Sequence, residues 1–370
     1  MAGSVFGSIL KVTTFGESHG AATGAVLDGC PAGVQLCEGD IQRYLDRRKP
    51  GASPVATARK ESDTVEILSG VFDGKTSGTP IALIIRNSDQ HSADYDSLKD
   101  VYRPGHADFT FDRKYGIRDH RGGGRSSGRE TAARVAAGAV AAKVLSELGI
   151  TVTAYTKAIG PVEADTSRID PDVIRKLPTA MPDPSADEKA LLYLKGIREK
   201  GDSAGGVIEV IVSGLPAGVG EPVFDKLDAR LSAAFMSIGA VKAVEIGDGF
   251  RVSGALGSEN NDGFYADADG NVKKLSNHAG GILGGISDGT EVRARLYVKP
   301  TPSIAVEQHT VRTDGVETGI TVGGRHDPVI VPRAVVVAET MAALTILDLM
   351  LVNMGSRLEY LKKIYGSDRT

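Results

Sequence analysis

The chain has 370 residues, of which 41% are hydrophobic, enough for one large domain or two ordinary ones with a sizeable core. A net charge of -4 and a pI of about 6.0 weigh against general binding to nucleic acid or membrane, so any basic site must be local. Only two cysteines occur, Cys30 and Cys37, with no His or Cys cluster beside them, so neither a metal site nor a disulfide framework is expected.

Residues 1–11 carry no basic stretch leading into a long apolar run, so no signal peptide is expected and the default location is the cytoplasm. Gly16-Glu17-Ser18-His19-Gly20 then places a histidine at a strand end, where it can give or take a proton near neutral pH. The same Ser-His pair also reads as a turn that satisfies backbone groups. Residues 26–27 are β-rich, Gly29-Cys30-Pro31-Ala32-Gly33 is a turn signal, and residues 41–48 have helical periodicity. Arg43, Arg47, Arg48 and Lys49, followed by Arg59 and Lys60, make either a solvated face or an anion site. Arg103-Pro104-Gly105-His106-Ala107-Asp108 is a turn that presents His106, with Asp108 placed to fix its tautomer, or a plain surface turn.

The sharpest motif is Arg121-Gly122-Gly123-Gly124-Arg125-Ser126-Ser127-Gly128-Arg129-Glu130-Thr131, ahead of an Ala-rich helix over 132–148. Ser127 and Glu130 have capping-box spacing, which predicts the helix start there. Glycines before a helix N-terminus let backbone N–H groups approach an anion, and Arg121, Arg125, Arg129 and Arg134 add donors suited to phosphate and carboxylate. A structural cap alone does not account for the arginines. This stretch holds no Gly-Lys-Ser/Thr, so it is not a Walker A loop.

Residues 161–184, rich in Pro and Asp, predict a loop-rich connection, followed by a helix over 186–200, a strand over 207–212 and a helix over 223–235. Residues 276–289 are Gly-rich, either as turns or as backbone lying against a flat ring. Gly324-Arg325-His326-Asp327-Pro328 offers an anion partner and a carboxylate. The apolar stretch 334–352 is interrupted by Glu339 and Asp348 and reads as a packed helix rather than a membrane span.

An internal repeat organises these motifs. Gly16, Ser18 and Gly20 recur as Gly201, Ser203 and Gly205, and Gly29, Pro31, Ala32, Gly33 and Val34 recur as Gly214, Pro216, Ala217, Gly218 and Val219, all at an offset of 185. Leu45-Asp46-Arg47 and Leu227-Asp228-Ala229-Arg230 follow in the two copies, and Ala204 stands where the first has His19. The repeat predicts two similar halves, about 1–185 and 186–370, around one core in a single domain. The expected class is α+β or α/β, with sheets covered by helices. Six segments sharing Arg, Ser, His and Gly suit a small, multiply anionic substrate beside a planar cofactor. A phosphoryl-transfer enzyme and an RNA-binding protein are the alternatives, but the interleaved aromatics of a single-strand binder are missing.

These motifs resemble the chorismate synthase family from end to end. Its first signature is matched by Gly16 to Gly20 through Asp28-Gly29-Cys30-Pro31, its second by Gly124 to Thr131, and its third by Arg325-His326-Asp327-Pro328 through Glu339-Thr340. The resemblance implies an anti-1,4-elimination of phosphate and a proton from 5-enolpyruvylshikimate-3-phosphate, dependent on reduced FMN with no net redox change. It also implies an α+β fold, a β-α-β sandwich with internal pseudo-twofold symmetry, assembled as a homotetramer. His19, His106, Asp327, Ser18 and Ser127 match the family's catalytic residues. Arg125, Ser126, Ser127, Gly239, Ala240, Gly284, Lys299, Pro300, Thr301, Pro302, Ser303 and Arg325 match its flavin contacts. Arg48, Arg129 and Arg325 match its substrate-holding arginines. Gly239 and Pro302 depart from common family residues, and Pro54 stands where many members place an arginine for NADP. An external flavin reductase or other source of reduced FMN is therefore expected.

Overall fold

The computed structural model describes residues 3–49, 62–87, 98–323 and 327–366. The first part of the chain gives strands β1 (Val5–Phe6), β2 (Lys11–Gly16) and β3 (Ala22–Asp28), helix α1 (Glu38–Arg48) and strand β4 (Val65–Ile67). A small hairpin, β5 (Val71–Phe72) and β6 (Lys75–Thr76), leads to β7 (Ile81–Arg86), and helices α2 (Asp108–Tyr115) and α3 (Thr131–Glu147) follow. The second part gives β8 (Thr151–Ile159), β9 (Val162–Glu163), α4 (Pro171–Lys176), α5 (Pro184–Glu199), β10 (Gly206–Ser213), α6 (Leu227–Met236) and β11 (Val241–Ile246). Then come α7 (Gly257–Asn260), the hairpins β12 (Phe264–Ala266) with β13 (Val272–Lys274) and β14 (Ile282–Leu283) with β15 (Ile286–Ser287), and β16 (Val292–Val298). Hairpin β17 (Gln308–Val311) with β18 (Glu317–Ile320) and helices α8 (Val331–Asn353) and α9 (Leu358–Tyr365) close the chain.

Two five-stranded sheets form, both antiparallel, in the orders β1-β2-β3-β7-β4 and β9-β8-β10-β16-β11. The fourth strand of each sheet alternates: Ile81, Leu83 and Ile85 of β7 and Val292, Ala294, Leu296 and Val298 of β16 are buried while their neighbours are not. The buried faces pack on helices. Helix α3 lies on β2, β3 and β7, α8 lies on β8 and β10, and α1 and α6 flank them on β4 and β11.

Helices α3 and α8 cross where Gly138 meets Thr340, and a Cβ on Gly138 would sit 2.4 Å from the Thr340 Cβ. The alanines of α3 and this glycine permit the close approach. Helix α8 is long and apolar enough to cross a membrane, yet 83% of its most apolar window is buried inside the protein. Its Asp348 carboxylate accepts the N–H groups of Ser8 (2.8 Å), Ile9 (2.8 Å) and Leu10 (2.9 Å) and pairs with Arg230. That burial satisfies the one charge in an otherwise apolar turn.

The repeated turns have matching bonds. Thr76 Oγ1 donates to Pro31 O (2.7 Å) and accepts Val34 N–H (3.0 Å), while Ser287 Oγ donates to Pro216 O (2.6 Å) and accepts Val219 N–H (2.9 Å). Two expected elements differ. Helix α6 starts at Leu227, not at 223, because Val223 has φ of +70°, outside the helical region. Leu227 therefore opens its helix whereas Leu45 lies deep in α1, so the shared Leu-Asp pair does not occupy equivalent positions. The connection over 161–184 is not wholly loop, since it holds β9 and α4.

Candidate active site

Corresponding ends of the two sheets meet in one place. On the first sheet, the turn carrying Ser18 and His19 joins β2 to β3, Asn87 follows β7, and Asp63 precedes β4. Arg48 ends α1, and Arg129 stands just ahead of α3. Asp63 is 1% exposed and accepts Arg48 through Nε (3.0 Å) and Nη2 (2.7 Å), and it also accepts Arg129 Nη1. Burial would push its carboxyl up; the two guanidiniums outweigh that and hold it below the usual carboxylate range. Arg48, 2% exposed, spends Nη1 on Gly128 O (3.1 Å) and Thr131 Oγ1 (3.3 Å). Its guanidinium thus faces the protein's own groups. Arg129 Nε donates to Asn87 Oδ1 (2.8 Å).

The two predicted histidines flank one glycine pair. A Cβ on Gly122, at φ +63°, would lie 2.6 Å from His19 Nε2, and one on Gly123, at φ +88°, would lie 3.1 Å from His106 Nε2. Only glycine fits both positions, by space and by backbone. His106 Nδ1 is 2.9 Å from Asp108 Oδ1, which fixes the ring and leaves Nε2 turned to the glycines. Asp108 also accepts Arg103 Nε and Nη2, both at 2.8 Å. Burial would raise its carboxyl, but the bonds from Arg103 and His106 hold it far below the ordinary range. Ser18 Oγ is buried with no hydrogen-bond partner among the described residues, and it lies against Gly122. A buried hydroxyl without a partner costs about 1–3 kcal/mol, which a ligand atom would recover.

The second sheet supplies the opposite lip. Ala240 O accepts Lys299 N–H (2.9 Å), and Lys299 Nζ donates to Gly105 O (2.7 Å), beside His106. Burial and the nearby Lys242 lower the Lys299 pKa. Pro302 packs against Gly105, Pro300 against Gly205, and Thr301 Oγ1 donates to Asp327 O (3.2 Å); Ser303 is half-buried at the end of this loop. The Asp327 carboxylate accepts Arg333 Nη1 (2.5 Å), and Arg333 Nε donates to Arg48 O (3.0 Å). Asp327 and the first-sheet arginines are thereby joined.

Other sequence expectations fare differently. The capping box does not form: α3 starts at Thr131, Ser127 caps only a short 3-10 turn through Arg129 N–H, and Glu130 pairs with Arg134 (2.9 Å). The glycines consequently border the histidines rather than the first turn of α3. Arg121 pairs with Asp119, and Arg125 donates to Gly16 O and Thr14 Oγ1. Ser126 Oγ donates to Gly123 O. Gly239 and Gly284 face open space, and the hairpin turn beside Gly284 packs on Lys226. Arg325, His326 and Pro54 lie outside the described residues. Sequence reasoning missed Asp63, Asn87 and Arg333. Each stands at an element boundary, and a partner that matters lies far along the chain: Arg129 for Asp63 and Asn87, and Arg48 for Arg333.

The family model described as chorismate synthase matches residues 10–351. A chorismate synthase of Lachnoclostridium phytofermentans is 60% identical over 99% of this chain and 100% of its own length. One of Agathobacter rectalis is 56% identical over 99% of each. A crystal structure of chorismate synthase superposes with a TM-score of 0.76 at 34% identity, over 97% of this chain and 96% of the other. The chain belongs to the chorismate synthase family, lyases of the shikimate pathway. The phosphoryl-transfer and RNA-binding alternatives find no support in these relatives.

Proposed function

We propose that this member of the chorismate synthase family converts 5-enolpyruvylshikimate-3-phosphate to chorismate and phosphate by anti-1,4-elimination in the presence of reduced FMN. The observation that carries this is the pair His19 and His106, set on the two sides of Gly122-Gly123 and next to the Arg129 cluster. Arg129 and Arg325 hold the substrate's phosphate and carboxylates, with Arg48 beside Arg129 on Asp63, and supply the charge that a departing phosphate needs. His19 gives a proton on the phosphate side. His106, held by Asp108, moves a proton at Nε2. Asp327, with Ser18 and Ser127 in support, assists proton removal from carbon.

The residues fit a flavin. Among the described residues Ser18 Oγ lacks a hydrogen-bond partner, Gly239 and Gly284 leave backbone open to a flat ring, and the Lys299 ammonium bonds to a carbonyl and suits a phosphate. Arg125, Ser126, Ser127, Ala240, Pro300, Thr301, Pro302, Ser303 and Arg325 complete the proposed contacts. Reduced FMN, when bound, supplies electron density to the breaking C–O bond. An external source of reduced FMN, a homotetramer, a cytoplasmic location and two halves arising by duplication belong to the same reading; the matching order of four strands in each sheet, β2-β3-β7-β4 and β8-β10-β16-β11, supports the last.

Anaerobic assay with chemically reduced FMN, following chorismate and phosphate together, tests it. Equal release of both, absent without reduced FMN, is the expected result. A folded, FMN-binding protein that releases neither would sink it.

A further inference from the structure

Three groups on the first sheet are linked end to end. Asp63, buried and held at φ +48°, accepts Arg129 Nη1. Arg129 Nε donates to Asn87 Oδ1 (2.8 Å). Asn87 Nδ2 then donates to Glu17 O (2.9 Å) and Gly20 O (2.7 Å), the two carbonyls that bracket Ser18 and His19. The amide's orientation follows from this, since its oxygen meets a donor and its nitrogen meets two acceptors. Asn87 N–H donates to Ala21 O (3.1 Å), which ties the same turn to the end of β7. Left-handed backbone at a non-glycine residue is costly and persists only where its surroundings hold it, as the two arginines hold Asp63.

We propose that Asp63 and Asn87 are positioning residues: Asp63 sets the Arg129 guanidinium, and Asn87 locks the His19 turn onto that guanidinium. The substrate-side cation and the proton-carrying histidine are thereby held at one fixed separation. This rests on the reading that Arg129 binds a substrate anion and His19 moves a proton. A displacement of about 1 Å in such a constellation costs on the order of 10²-fold in rate. The two ends of the chain of bonds therefore weigh differently on the two kinetic constants. Asn87→Asp keeps an acceptor for Arg129 but removes both donors to the turn, so kcat per active site falls at least tenfold with KM within threefold. Asp63→Asn removes the carboxylate that sets Arg129, which holds the phosphate before and during its departure, so KM rises at least tenfold while kcat falls by a smaller factor.

The test combines these assays with the imidazole NMR signals of the folded, flavin-free protein, each histidine assigned by replacement. Asn87→Ala and Asp63→Asn should both move the His19 signal while the His106 signal, held by Asp108, stays in place. Should Asp63→Asn fail to fold, Asp63→Glu carries the same measurement, with a smaller shift because the carboxylate is kept. An unmoved His19 signal overturns the proposal, and so do variants that change kcat and KM in the same proportion. If the wild type releases no chorismate while the His19 signal moves as stated, the positioning stands and the assigned reaction falls.

Discussion

Four strands of each sheet follow one order, β2-β3-β7-β4 and β8-β10-β16-β11, and the repeated turns are closed by the same bonds, Thr76 to Pro31 and Val34 in one and Ser287 to Pro216 and Val219 in the other. Their chemistry is not shared. The inward helix position that holds Arg48 after Ile41 and Leu45 holds Ala234 after Leu227 and Leu231, and Ala204, 4% exposed, replaces His19. A backbone frame fixed by main-chain bonds tolerates any side chain that fits its ends. One half carries the histidine turn and the buried arginines, while the other offers Lys299, open glycine and a short loop.

The largest effects should fall on the half that carries the histidines. His106→Ala should lower kcat about 10²–10⁴-fold, the usual worth of a positioned acid or base, with FMN binding retained. Gly122→Ala should cost about 10²-fold, because its Cβ enters the space of His19 and its φ is left-handed; an activity near wild type would mean that His19 is free to move aside.

Acid should separate Asp108 from the frame. Its folded pKa is depressed, so its contribution is full above the unfolded value of about 3.9 and is lost as pH falls below it. Asp108→Asn should therefore be less stable at pH 7 and lose less stability between pH 4 and pH 3, read from urea midpoints. The smallest test addresses the frame itself. Thr76→Val and Ser287→Ala each strand a backbone N–H and a carbonyl, so each should cost about 1–3 kcal/mol, and by similar amounts. Unequal losses would break the likeness of the two turns.

Much of the frame was legible in sequence. β-rich runs marked β3 and β10, the offset of 185 marked the paired turns, and Glu339 and Asp348 marked α8 as a buried helix rather than a membrane span. Residues His19, His106 and Arg129 were legible because glycine and arginine crowd around them. Asp63 and Asn87 were not, since their meaning lies in partners brought close only by sheet pairing and by the packing of α1 and α3. Ser127 misled because a short-range spacing signal competed with Arg134, which drew Glu130 away from the cap.

Asp348 clasps the backbone of Ser8, Ile9 and Leu10 across a separation of some 340 residues. During synthesis that clasp cannot close until nearly the whole chain has left the ribosome, and until then α3, seated on the first sheet, lacks the α8 helix that packs across it. At about 5–20 residues per second the face of α3 that meets α8 waits on the order of ten seconds or more uncovered, an interval in which chaperone capture competes with folding.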